Sequence, residues 1–182
     1  MIRRSLDRAT VVREAAVLAD RDGYNALTLS VLAAHLGVKP PSLYNHVDSL
    51  DALRRALQLE ALELFTTRSG DAAMGHAGSE ALERMAMSLF SLARDRPGVW
   101  ASMQRAPSPG DTEILEAARK AMKPFEAVLQ PIGLSASDSI HLLRSLRALV
   151  QGFASLEAMG GFGLPESVEE SFGIALARIL RA

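Results

Sequence analysis

The stretch from Thr28 to Val47, TLSVLAAHLGVKPPSLYNHV, constrains this chain most, because it spaces apolar residues, glycine and proline as two short helices joined by a tight turn require. Leu32, Ala33 and Leu36 fall on one face at helical spacing. Gly37 follows at once, where a helix end needs positive φ without the penalty of a Cβ. Val38 then points back to the core, and Pro40 and Pro41 bring a fixed φ that suits the first turn of a helix but not its interior. Leu43 and Val47 resume the apolar face. Ala33 is small for a reason: where two helices cross near a right angle, one position must let the second helix approach. The pattern predicts a helix-turn-helix.

The flanking segments supply its packing partners. Val12, Ala15, Ala16 and Ala19 repeat at helical spacing and Gly23 stops them, which predicts a first helix from about Asp7 to Asp22. Arg3 and Arg4 precede it and could reach phosphates or a minor groove, or remain a solvated tail. After Val47, Asp48 or Ser49 can cap a helix carried by Leu50, Leu53, Leu57 and Leu64 to about Phe65. Ser69 to Gly78 is rich in glycine and small polar residues and predicts a loop. Beyond it, helices are predicted at about 79–95, 98–105, 111–130, 136–159 and 166–181, with Pro124 kinking or splitting the third of them. The expected fold is all-α, with a helix-turn-helix domain at 1–49, a connecting helix at 50–66 and a helical domain at 67–182.

Composition narrows the function classes. The 182 residues are 48% apolar and 23% charged, enough for a real core, and carry no cysteine, so disulfides and thiolate metal sites are excluded. No apolar run approaches the ~18 residues a membrane span needs, and MIRRSLDRAT has no apolar region after its arginines, so a cytoplasmic protein without membrane contact is expected. A net charge of −1 does not advertise nucleic acid by itself. Its distribution says more: Arg3, Arg4, Arg8, Arg13, Arg21 and Lys39 stand against Asp7, Glu14, Asp20 and Asp22, a modest basic excess at the N-terminus. His35, His46, His76 and His141 show no metal-binding spacing, and nucleophile, P-loop and dinucleotide motifs are absent, so no catalytic residue, metal or cofactor is expected.

LTLSVLAAHLGVKPPSLYNHV resembles the N-terminal DNA-binding domain of the tetracycline-repressor (TetR) family, in which a threonine near the start of helix 2, the LA..LGV core and the LY.HV ending of helix 3 recur. The resemblance covers about the first third of the chain. It implies a homodimeric transcriptional regulator that binds double-stranded operator DNA, most simply a repressor released by a small-molecule inducer. A constitutive repressor, or a helical small-molecule-binding protein whose helix-turn-helix is only structural, are the alternatives. The DNA-facing residues expected are Arg3, Arg4, Thr28, Ser30, Lys39, Pro40, Ser42, Tyr44, Asn45 and His46. Asn45 can pair bidentately with adenine and Lys39 can reach guanine or phosphate. Tyr44 and His46 would bind phosphates, as the matching residues do in the family. One departure is Leu50, where many members carry a phosphate-binding lysine.

The last two helices carry a second pattern. Leu142, Leu146, Leu149, Phe153 and Leu156 step by four and three, as do Val168, Phe172, Ala175 and Ile179, the seam of helices packing at shallow angles. That seam could be ordinary core. In the TetR family the last two long helices of each subunit form a four-helix dimer interface, so the resemblance implies this seam faces a partner, with Leu143 and Val150 facing the subunit's own core. Phe90, Trp100, Met103, Met122, Phe125 and Val150 are candidates for an apolar inducer pocket, and Arg144, Arg147 or Gln151 for the polar group that orients a ligand. A bound ligand would act by shifting the connecting helix.

Overall fold

A computed structural model describes residues 6–104 and 110–181, and among these it contains nine α-helices and no strand. The first, α1 (Arg8–Asp22), starts where the Asp7 carboxylate accepts from the Thr10 N–H and ends at Gly23, φ 94°. A 3-10 turn at Tyr24–Ala26 leads to the buried Leu27 and then to α2 (Leu29–Leu36). Helix α3 (Pro40–Leu43) is one turn long, and α4 (Leu50–Ala73) is the longest. There follow α5 (Gly78–Asp95), α6 (Pro97–Ser102), α7 (Thr112–Leu129), α8 (Ala136–Ala158) and α9 (Val168–Leu180). Thr28, Ser49, Ser135 and Ser167 each cap the helix that follows, their hydroxyls accepting from the backbone N–H three residues on.

The chain forms two compact units that interleave in sequence instead of following one another: residues up to 62 join 96–115, and 63–95 join 116–182. Buried residues of the first unit are mostly small or medium: Val11, Ala15, Ala19, Leu27, Leu32, Ala33, Leu43, Leu53 and Leu57. The second unit buries large rings. Phe90 of α5 stacks on Phe172 of α9, centroids 4.2 Å apart and planes at 15°, and both meet the ring of Phe153 from α8 edge-on. Arg94 lies over the Phe90 ring and pairs with Glu157 at 2.9 Å and Glu169 at 3.2 Å, tying α5 to the ends of α8 and α9. Aromatic pairs of this kind add about 0.5–1.5 kcal/mol each beyond the area they bury.

Two sequence expectations change, and a third, on Pro124, is narrowed. The predicted loop at Ser69 to Gly78 is helical through Ala73, and only Met74 to Ala77 lie outside a helix, Gly78 opening α5. Ser69 is fully buried, so packing of this last stretch offsets the roughly 1 kcal/mol that Gly70 costs a helix. Pro124 does not split α7, which stays a single helix from Thr112 to Leu129. Lys120, whose carbonyl Pro124 cannot serve, lies on the exposed side where water can satisfy it. Two residues of the α8 and α9 seam also turn inward. Leu146 and Phe172, expected to face a partner subunit, are buried in their own unit, in line with Val150, Ala154 and Leu176. Leu142, Leu149, Phe153, Val168, Ala175 and Ile179 are half-buried and Leu156 is exposed.

Candidate nucleic-acid interface

The helix-turn-helix is built by backbone devices that the residue pattern announces. Thr28 Oγ1 accepts from Val31 N–H and so starts α2, which buries Leu32 and Ala33 and leaves Ser30 and Val31 exposed. Gly37 ends it at φ 67°, with its N–H donating to Ala34 C=O and that of Val38 to Ala33 C=O. A residue with a Cβ is strained at that φ, which is why glycine stands here. Lys39 then precedes Pro40 and Pro41 in the first turn of α3. Past Leu43 the backbone still coils: the Val47 N–H donates to the Leu43 C=O at 2.9 Å. Leu43 and Val47 are thereby buried, and Lys39, Pro40, Tyr44 and Asn45 stand exposed, Tyr44 by 55%, with Ser42 and His46 half-buried beside them. Arg3 and Arg4 lie outside the described residues.

The chemistry of that exposed set suits a duplex. It offers a cation, two hydroxyls, a carboxamide and an imidazole between Lys39 and His46, and no carboxylate until Asp48. A carboxamide can give and take one hydrogen bond at once, which matches the adjacent acceptor and donor of an adenine edge in the major groove. Leu50, in place of a basic residue, begins α4, whose first turn is capped by Ser49. Free backbone N–H groups at such a terminus favour a phosphate.

Long-range ties hold this region, and no spacing in the sequence announces them. His35 Nε2 of α2 lies 3.0 Å from Glu14 Oε2 of α1. Arg54 of α4 reaches back to Leu27 C=O and lies over the Tyr24 ring. Arg55 donates to both oxygens of Asp111 and to Glu113 at the start of α7. That guanidinium, and next the Ile114 N–H, lower the Asp111 pKa to about 2, and the two carboxylates raise that of Arg55. Asp20 of α1 pairs with Arg96 and accepts from the N–H groups of Gly98 and Val99 at 2.9 and 3.0 Å. Partners 21 to 79 positions apart leave no local spacing to read. The one available signal is Gly98, which by its residue type alone reads as a helix break.

The candidate ligand-pocket residues do not gather within one unit. Trp100 and Met103 are buried in the first; Phe90, Phe125 and Val150 are buried and Met122 and Gln151 half-buried in the second. Phe90 is committed to its stack on Phe172, Phe125 lies 6.0 Å from Phe65, and Gln151 donates to Ser155 Oγ. Arg144 and Arg147 are exposed. A groove of about 600 Å³ lies elsewhere in the second unit, lined by Asp71, His76, Glu80, Glu83, Arg84 and Met87 among others, none of them among the expected pocket residues. Glu80 there pairs with His76 at 2.9 Å and with Arg84 at 3.3 Å.

Comparison with known proteins agrees with this geometry. Residues 11–57 match the family described as bacterial regulatory proteins, tetR family, and residues 82–179 match the tetracyclin repressor-like C-terminal domain. The chain is 36% identical over 156 residues to the uncharacterized HTH-type transcriptional regulator Rv0681 of Mycobacterium tuberculosis, covering 85% of this chain and 72% of that one. A solved protein of unknown function from Rhodococcus sp. RHA1 superposes with a TM-score of 0.78 at 21% identity, over 99% of this chain and 96% of that chain. A single-substitution variant of TetR from Acinetobacter baumannii AYE, solved in complex with minocycline, superposes with a TM-score of 0.69 at 25% identity, over 97% and 96% of the two chains. With a family match over more than half its length and a relative of this identity, the chain belongs to the TetR family of DNA-binding transcriptional regulators.

Proposed function

We propose that this regulator is a repressor that binds a near-palindromic operator as a homodimer and is released by a small, mostly apolar molecule. The observation that carries the DNA half of this reading is the split of α3 and the turn after it, with Leu43 and Val47 buried and Lys39, Tyr44 and Asn45 exposed. On it, Asn45 reads a base, Lys39 reaches guanine or phosphate, and Thr28, Ser30, Pro40, Ser42, Tyr44 and His46 meet the backbone or position the contacts. A single head of this size makes too few base contacts for specificity, so two are needed, with half-sites about one helical turn, ~34–36 Å, or a multiple apart. The outer faces of α8 and α9, where Ile140, Leu156 and Ile174 are exposed, are the surface we assign to the partner. Release by a ligand rests on likeness to the minocycline complex, and requires that the ligand bind the DNA-free form more tightly.

A binding-site selection from random duplexes tests the reading. The wild type should recover a twofold-symmetric site, and Asn45→Ala should lose preference at one position per half-site, a discrimination of about 1–3 kcal/mol. Recovery of single, unrepeated sites would refute the dimeric operator, and an unchanged preference in the Asn45 variant would refute direct readout by that residue.

A further inference from the structure

We infer that Asp20 is a positioning residue for DNA binding: its carboxylate latches α6 onto α1, and so fixes the frame on which the helix-turn-helix is hung. The inference rests on the reading of α3 as the DNA-contacting element, and concerns residues that lie away from it.

Two independent observations converge at this contact. One carboxylate gathers three donors from the start of α6, Arg96 Nε and the N–H groups of Gly98 and Val99, the last two being groups a helix start leaves without internal partners. The second observation is steric. A Cβ built on Gly98 would overlap the carbonyl carbon and oxygen of Ala19 and the nitrogen of Asp20, all of them backbone that cannot swing aside. Glycine at 98 is therefore required by the closeness of the two backbones, with Gly98, Val99 and Ala19 all buried around it. A carboxylate with an arginine and two amides, side-on to a glycine, makes a contact with one distance and one orientation.

Its position gives that precision a use. Helix α6 packs on α1 and also on the 3-10 turn Tyr24–Ala26, the piece of chain that runs directly into Leu27 and the Thr28 cap of α2. Nearer its start, α1 holds α2 through Glu14 and His35. Asp20 thus sits where a shift of α6 would reach both supports of α2, and α2 carries α3 through the Gly37 turn. Without the latch, α1 and the 3-10 turn gain freedom, and the side chains of α3 lose a fixed relation to the phosphates.

The test uses the full-length protein and a duplex recovered in the selection above, with active protein titrated stoichiometrically so that loss of folded molecules is not counted as loss of affinity. Asp20→Ala and Gly98→Ala should each weaken operator binding at least ~10-fold and flatten its salt dependence, because fewer phosphates are held. Asp20→Asn keeps an acceptor for the two N–H groups and should recover part of the loss. Should Asp20→Ala or Gly98→Ala fail to fold, Asp20→Asn decides, by an affinity and salt slope below those of the wild type. Equal affinity and equal salt slope in the variants that fold would overturn the inference. A drop in active fraction with unchanged slope would also overturn it, since that is the mark of plain destabilisation. If the wild type itself binds no duplex, the reading of α3 falls first, which is a separate result.

Discussion

The two compact units reach order by different means. The first is held by small buried residues and by directed contacts: caps at Asp7 and Thr28, the Gly37 turn, the Glu14–His35 pair, the Arg55 fork on Asp111 and Glu113, and Asp20 on α6. The second has caps at Ser135 and Ser167 and the Arg94 pairs with Glu157 and Glu169, but its centre is held by bulk, with Phe90, Phe153 and Phe172 in mutual contact beside Leu146, Val150 and Leu176. Apolar burial is strong but non-directional, whereas hydrogen bonds and close backbone approach fix angle and distance at small net free energy. A head that must match the spacing of phosphates needs the second kind of contact more.

That contrast can be broken at its strongest point first. Phe172 is fully buried and stacked, so Phe172→Ala should cost about 3–5 kcal/mol in a denaturant melt, through lost transfer energy and a cavity. A loss below about 1 kcal/mol would mean the rings do not carry the second unit. Thr28→Ala removes a cap and little volume; it should cost roughly 1 kcal/mol, seen as faster amide exchange in α2, with operator affinity falling more than the stability change accounts for. Exchange confined to the first turn with full affinity would weaken the case that directed contacts set the head.

The smallest effect is on pH. Asp111 titrates lower in the folded protein than its ordinary value near 4, so the Arg55 clamp contributes fully above about pH 4 and is lost as pH falls toward about 2. Asp111→Asn should therefore be less stable than the wild type at neutral pH and converge with it as acid protonates the native carboxyl. Trp100, the single tryptophan and a buried residue of the same unit, reports the melts. A constant gap between the two proteins from about pH 6 to about pH 2 would contradict the assigned pairing.

Local chemistry is legible in the chain and distant partnership is not. Gly37, Pro40 and the Leu32–Ala33 pair act within a few residues of themselves, and the helix-turn-helix they predict is present with the expected faces. Periodicity in α8 and α9 shows that one side is apolar but not what it meets, and Leu146 and Phe172 belong to the subunit's own core. The Ser69–Gly78 stretch misleads because glycine content measures local preference, while burial of Ser69 is a tertiary fact. Asp20, Arg55 and their partners carry ordinary charges at spacings without pattern, and only the fold brings them together.

The interleaved course of the chain has a bearing on modularity. A DNA-reading head that ended cleanly at one point in the sequence could be exchanged between regulators by a single crossover. Here a crossover after residue 62 would carry off α1 to the first part of α4 while leaving 96–115 behind. Asp20 would arrive beside a stranger's α6, and unless that helix brought an arginine, a glycine and two free amides to the same place, the transplanted head would lack its brace. A head swap that keeps this brace would therefore have to move two separated stretches of the gene together, 1–62 and 96–115.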